Sequence, residues 1–248
     1  MVRLAMDTKV QLEFSIFEDE VRTKWRYMRS PFVDKLLDTV KDTIPRRVRE
    51  VAEGDELWRA RLGSIWEEKC QFPEPLPYEG KDMKPPEHFA TEGRANPKGI
   101  PCLYLSTCKE AAMAEMRPWV GAMVSVAKFR TRKPLRIIDC ALRCDEPVNF
   151  LVPPHGELEY EEAVWKFVDK AFAKPVTRTD DAADYATTQI LAEIFRREGY
   201  DGIAFKSLFD EAYTIALFDL EVAEFVSGQL FTTEKVEHHF KEYDDHPE

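Results

Sequence analysis

The ten glycines of this 248-residue chain never fall two apart, so no Gly-x-Gly occurs, and neither a Rossmann fingerprint nor a Walker loop is present. The five cysteines, Cys70, Cys102, Cys108, Cys140 and Cys144, form no CxxC pair. Their odd number suits reduced, mostly buried thiols, and Cys140 and Cys144 lack the second pair or nearby histidine that would complete a zinc site. No metal is expected. Histidine is scarce: His238-His239 and His246 sit in an acidic tail, and His155 follows Pro153-Pro154 with no carboxylate or cysteine at catalytic spacing, so a Ser/His/Asp hydrolase has no support. Basic residues are outnumbered, 35 Lys and Arg against 46 Asp and Glu, a net charge of -11. That balance argues against broad adhesion to nucleic acid, which requires clustered cations to neutralise phosphates. No apolar run of about 18 residues exists to span a bilayer. The opening Met1-Val2-Arg3-Leu4-Ala5-Met6-Asp7 turns polar at once and is unlike a secretory signal, which points to a cytoplasmic protein.

What is present is a globular composition, 44% hydrophobic and 33% charged, in a chain long enough for one full-sized core with an appendage. Residues 1–55 read as a helical N-terminal extension. Within them Ser30-Pro31 form an N-cap and first-turn proline ahead of an apolar face of Phe32, Val33, Leu36, Leu37, Val40 and Ile44. Residues 56–230 read as the main domain. Its strand candidates lie at Leu57–Leu62, Cys102–Leu105, Ala122–Phe129, Leu135–Asp139, Gly202–Phe205, Ile215–Phe218 and Val222–Val226. One helix carries Val164, Phe167, Val168, Ala171 and Phe172 on a single face; another carries Ile190, Leu191, Ile194 and Phe195 and stops at Gly199. This order lacks the regular alternation of a doubly wound fold and indicates α+β with a mainly antiparallel sheet. The proline-rich stretch 71–99 is longer than most loops, hence functional or anchored by its own packing. Residues 231–248 form an acidic C-terminal tail.

The chemistry concentrates between Gly93 and Pro118. Arg94, in Gly93-Arg94-Ala95-Asn96-Pro97, sits among turn residues that let the backbone approach a ligand, and its guanidinium offers a planar fork to phosphate oxygens. Tyr104 alternates with Leu103 and Leu105, so its ring faces away from theirs, where it can stack on a base or hydrogen-bond a ribose. Thr107 followed by Glu110 reads as a capping box opening a short helix that ends at Glu115 before Pro118. A carboxylate beside a breaking N-glycosidic bond steadies the cationic transition state and orients attacking water. Arg59, or Arg61 on the same strand face, supplies a second clamp, and Ser207, just after a strand, can bond a substrate hydroxyl.

Together these elements resemble the RES domain, a family of toxins from bacterial toxin-antitoxin systems. The likeness spans about residues 56–226 and rests on Leu57-Trp58-Arg59, Gly93-Arg94-Ala95-Asn96, Leu103-Tyr104-Leu105, Ala111 with Ala114-Glu115, Thr188-Gln189, Tyr200-Asp201-Gly202-Ile203, Ser207 and Ala216-Leu217-Phe218. It implies an ADP-ribosyltransferase-like fold of two small, mainly antiparallel sheets around an NAD cleft, flanked by helices. It further implies cleavage of NAD as a substrate by hydrolysis or phosphorolysis, depletion of NAD with growth arrest, and a cognate antitoxin partner. Arg59 and Arg94 match the ligand-clamping arginines, Tyr104 and Glu115 the central catalytic pair, and Ser207 the late serine. Ala95 stands where an aromatic is common, and Ala212-Tyr213-Thr214 replaces a Gly-x-Asn, which puts the surroundings of Ser207 in question. ADP-ribosyl transfer to a protein and a degenerate, non-catalytic binding role are the alternatives. No membrane association is expected; a homodimer is compatible with the sequence.

Overall fold

The computed structural model describes residues 2–67, 73–86, 88–142, 156–174, 182–207, 209 and 211–239. Cys70, Cys144, His155, His246 and residues 240–248 of the acidic tail lie outside the described residues. The chain opens with helices α1 (Val2–Thr23) and α2 (Pro31–Thr43). Ser30 caps α2 as its sequence suggests, its Oγ accepting the Val33 N–H at 3.4 Å. Val33, Leu36, Leu37 and Val40 are buried, whereas Phe32 lies off that face and is exposed. The helical reading of residues 1–55 ends early. Pro45 cannot continue an α-helix, a 3-10 turn over Ile44–Arg47 follows, and Val48–Val51 extend as strand β1.

The remaining strands are β2 (Glu56–Leu62), β3 (Ile65–Glu67), β4 (Glu74–Leu76), β5 (Leu103–Ser106), β6 (Met123–Thr131), β7 (Leu135–Asp139), β8 (Gly202–Lys206), β9 (Tyr213–Leu217) and β10 (Ala223–Thr232). The helices between them are α3 (Lys109–Glu115), α4 (Gly156–Ala173) and α5 (Ala186–Arg197). The architecture is α+β. Eight strands form one mixed sheet in the order β1-β7-β8-β9-β5-β2-β6-β10, and β3 with β4 makes a separate hairpin. β7 and β8 run parallel, with α4 and α5 in the connection; the other paired strands are antiparallel. The large sheet is nearly two. β5 and β2 meet through the single pair Trp58↔Ser106, while β2 continues along β6 from Glu56 to Leu62. The two splayed sheets implied by the resemblance therefore appear as two halves joined at one residue pair, and the chain beyond that pair is free to open a cleft.

Helices cover one face of the sheet. Val164, Val168 and Phe172 of α4 and Leu191 and Phe195 of α5 are fully enclosed, together with Phe14 and Phe17 of α1 and Leu36 and Val40 of α2. Trp165 stacks on Phe195 with ring centroids 6.1 Å apart, and its indole N–H donates to Thr43 at the end of α2 at 2.8 Å. The N-terminal helices thus share one core with the main domain. The opposite face of the sheet buries Leu103, Leu105, Phe129, Ile137 and Leu217. Gly202 is required at its position because a Cβ there would lie 2.4 Å from the Ala216 carbonyl oxygen on the neighbouring strand.

The edge strand β1 is tied in by charge as well as by its ladder. Arg49 reaches the carboxylate of Asp139, fully buried at the end of β7, at 2.5 Å, and its guanidinium lies over the Tyr213 ring at 4.3 Å. Burial pushes the Asp139 carboxyl above its ordinary value, and Arg49 opposes that shift. A carboxylate with a raised folded-state pKa loses stability as pH rises through that range, and removing the cation raises the pKa further. Arg49→Ala is expected to cost about 1–2 kcal/mol at neutral pH, less than breaking a fully buried pair because the Arg49 side chain is 36% exposed and Arg47 still faces the carboxylate electrostatically. The deficit should shrink as pH falls and Asp139 takes up a proton, which chemical denaturation at pH 7.5 and pH 5 will measure.

Candidate active site

Where β2 and β5 part, a cleft of about 480 Å³ opens, within the usual size range of small-molecule sites. Its floor comes from the two diverging strands, Arg59, Ala60 and Arg61 on one side and Tyr104 and Leu105 on the other. Glu115 and Met116 from the end of α3 form one wall, and Asp82, Lys84, Pro85, Pro86 and Phe89–Glu92 of the proline-rich connection form another. That long connection is thus part of the site.

Arg59 is held in β2 with one Nη donating to the Tyr104 carbonyl oxygen at 2.9 Å, while its enclosed Nε has no hydrogen-bond partner. Among the described residues no carboxylate pairs with it. Burial, aided by repulsion from Arg61 two residues on, pushes its pKa down to about 10. A buried guanidinium short of acceptors is costly, and an anionic ligand would satisfy it. Arg61 lines the cleft as well, so the sequence alternatives are both present. Its guanidinium donates to the Asp82 carbonyl oxygen and lies 4.3 Å from the centre of the Tyr78 ring.

Arg94 occupies a tight turn closed by reciprocal backbone bonds between Gly93 and Asn96, at 2.9 and 3.3 Å. It rests over Phe205 of β8 at 5.5 Å and lies outside the wall of the cleft itself. Burial lowers its pKa, and the nearby Glu115 carboxylate partly restores it, so the two charges feel one another. Tyr104 packs against the helical face of the sheet while Leu103 and Leu105 face the other way, as strand alternation requires. Its hydroxyl is already engaged. It donates to Asn96 Oδ1 at 2.7 Å and accepts from the Ala95 N–H at 2.9 Å, and burial raises its pKa well above the ordinary phenol value. Tyr104 is therefore a neutral group that fastens the Arg94 turn, with one lone pair left for a ligand.

Glu115 closes α3. A carboxylate at a helix C-terminus is poorly placed against the helix dipole, yet here it accepts the Ser207 hydroxyl at 2.8 Å. Just beyond it, Arg117 adopts a positive φ of 46° before Pro118, an uncommon conformation for a non-glycine residue. Ser207 follows β8; its Oγ also accepts the Phe209 N–H at 3.1 Å, and its own N–H donates to the Ala212 carbonyl oxygen at 2.8 Å. The substituted stretch beginning at Ala212 thus pins Ser207 in place. The capping box expected at Thr107 and Glu110 does not form. Cys108 is the N-cap of α3 and its side chain makes no capping bond, and Thr107 Oγ1 instead accepts the Tyr213 N–H at 3.0 Å, tying the helix start to β9.

Two residues organise the site without having been assigned roles from sequence. Asn96 is buried, and its side-chain amide donates to the carbonyl oxygens of Thr91 and Ile100 at 3.0 and 2.8 Å while accepting from Tyr104. Gln189, from α5, donates to the carbonyl oxygens of Gly93 and Asn96 at 3.1 and 3.0 Å. An asparagine next to proline in a glycine turn was a local sign of such bonding; Gln189 is distant in sequence and entered only as part of the Thr188-Gln189 motif of the resemblance, with no role assigned. Gly93 completes the arrangement, because a Cβ there would sit 2.6 Å from the Tyr104 hydroxyl and 3.0 Å from Asn96 Oδ1. Gly93→Ala is therefore expected to destabilise the protein by about 1–3 kcal/mol and to lower the thermal midpoint by roughly 5 °C, read by calorimetry.

Among the described residues, no group of three His, Cys, Asp or Glu side chains is arranged to hold a metal ion, and no helix is long and apolar enough to cross a membrane. The arrangement defines an α+β protein with a cleft of arginines, a tyrosine and a carboxylate. The RES domain model matches residues 56–235, and the chain belongs to that family. No curated protein matches it. Among solved structures it is similar to a chain of the M. tuberculosis MbcT-MbcA toxin-antitoxin complex, at 13% identity and a TM-score of 0.43 over 79% of this chain and 94% of that one.

Proposed function

We propose that this RES domain cleaves the bond between nicotinamide and ribose in NAD, and that it acts as the toxin of a toxin-antitoxin pair, restrained by a cognate antitoxin. Family membership supports the class of activity. The observation that carries the chemistry is Glu115, in the cleft wall, oriented by Ser207 and within electrostatic reach of Arg94, beside a buried Arg59 that has no acid partner among the described residues.

In this reading Arg59 and Arg94 hold the diphosphate, and Tyr104 offers its spare lone pair to a ribose hydroxyl. The bond from ribose C1′ to the nicotinamide nitrogen breaks with its electron pair leaving on nicotinamide, which departs neutral. The positive charge then resides on the ribose, where the Glu115 carboxylate stabilises it; preorganised charge of this kind supplies several kcal/mol in enzymes generally. A water oxygen, or a phosphate oxygen, then bonds to C1′, and water gives up its proton to solvent. NAD is consumed as a substrate, and the chemistry calls for no metal. The proposed place of action is the cytoplasm, where a pool of NAD is supplied.

The test uses full-length protein freed of any antitoxin and NAD labelled separately in its nicotinamide and adenylate halves. Released nicotinamide with free ADP-ribose, or with its phosphorylated form when phosphate is present, supports the proposal. Label fixed to protein would instead establish transfer to a side chain. Intact NAD would refute both.

A further inference from the structure

The outer part of the cleft contains groups that the cleavage chemistry leaves unused. Phe89 is a cleft-lining residue, yet it is 84% exposed, so its ring contributes little to the fold. It stands on the connection just after Pro85 and Pro86, which also line the cleft and stiffen the backbone that carries it. Arg61, on the floor, has a neutral carbonyl and an aromatic face as its partners, and no carboxylate pairs with it among the described residues. The cleft thus combines an unneutralised guanidinium with an unpacked aromatic ring, apart from Glu115 and Ser207, where the bond would break. An anion joined to a flat ring is the ligand chemistry that satisfies both: guanidinium to phosphate, aromatic face to heterocycle.

Resting on the proposed cleavage of NAD, we infer that Phe89 and Arg61 form an outer subsite for the adenosine-phosphate half of the substrate, Phe89 stacking on the purine and Arg61 taking a diphosphate oxygen. The subsite makes the enzyme select a dinucleotide over the nicotinamide half alone. Binding energy gathered there is the same in the ground state and the transition state, so it lowers KM and leaves kcat nearly unchanged.

Calorimetry on the full-length protein with two probes, ADP and ribose 5-phosphate, tests this assignment. ADP is expected to bind. Phe89→Ala should weaken ADP about tenfold, the order of one lost base stack, and leave ribose 5-phosphate unmoved; its thermal midpoint should match the wild type because the ring is exposed. Arg61→Gln should also weaken ADP and flatten the salt dependence of its binding. With NAD as substrate, Phe89→Ala should raise KM by a similar factor with little change in kcat. The subsite is refuted if ADP fails to bind, or if Phe89→Ala affects ADP and ribose 5-phosphate alike or neither. The two proposals fail separately: Phe89-dependent ADP binding without nicotinamide release sinks the cleavage reaction and keeps the subsite, whereas nicotinamide release with a KM indifferent to Phe89 does the reverse.

Discussion

Glu115→Ala is expected to lower nicotinamide release from NAD by about a thousandfold, the upper range for removing one preorganised electrostatic group, while the protein melts within a few degrees of the wild type. The stability change is the balance of two losses, the Ser207 bond and the attraction to Arg94, against one gain at the helix end. The substitution loses the bond from Ser207, worth about 1 kcal/mol. It also removes a negative charge from the C-terminal end of α3, where the helix dipole disfavours it by a few tenths to 1 kcal/mol. Glu115→Gln separates charge from shape, since the amide oxygen can still accept from Ser207. If the carboxylate acts by stabilising a cationic ribose, the glutamine variant is nearly as inactive as alanine; activity within tenfold of wild type would assign Glu115 a steric role. Ser207→Ala, which only frees the carboxylate to move, should fall between them.

A fragment containing residues 56–235, the span the family model matches, is expected not to fold. That span omits α1, α2 and β1. Phe14, Phe17, Val21, Val33, Leu36, Val40 and Ile44 are enclosed in the same core as Trp165 and Phe195. Each fully buried side chain of this kind is worth about 1.5–3 kcal/mol. Together they contribute about 10–20 kcal/mol, which matches or exceeds the roughly 5–15 kcal/mol net stability of a typical domain. The fragment would also lose the partner of β7 and leave Asp139 without Arg49. α5, which carries Gln189 to the Arg94 turn, packs on both N-terminal helices, so the extension supports the site through the helix it covers. Circular dichroism and calorimetry should find no cooperative transition in the fragment, against a single one in the full chain. A cooperative melt with activity retained would show the extension to be a dispensable addition.

Much of this arrangement was legible in the sequence where one residue pattern controlled the outcome. The alternation of Leu103, Tyr104 and Leu105 placed the tyrosine opposite its neighbours, and Ser30-Pro31 and Gly199 marked helix ends that the structure has. The failures came where tertiary partners outbid local ones. Thr107 satisfies a backbone N–H of β9 rather than its own helix, and Val48–Val51, short and charged, become a strand because β7 presents an open edge. Nor could spacing reveal that the Tyr104 hydroxyl is committed to the Arg94 turn, since its partners Ala95 and Asn96 are placed by Gln189 from almost a hundred residues further on. That Arg59 and Arg61 both reach the cleft follows from strand period; that neither meets a carboxylate among the described residues depends on the whole fold.

The central claim is that Arg59, Arg94, Tyr104 and Glu115 serve one bound NAD molecule. A crystal structure of the full-length Glu115→Gln variant with NAD tests it most directly. The account predicts one NAD in the cleft between β2 and β5, its diphosphate on Arg59 and Arg94 and its nicotinamide ribose C1′ against the side chain at 115. NAD bound elsewhere, or with its nicotinamide ribose turned away from position 115, would contradict it.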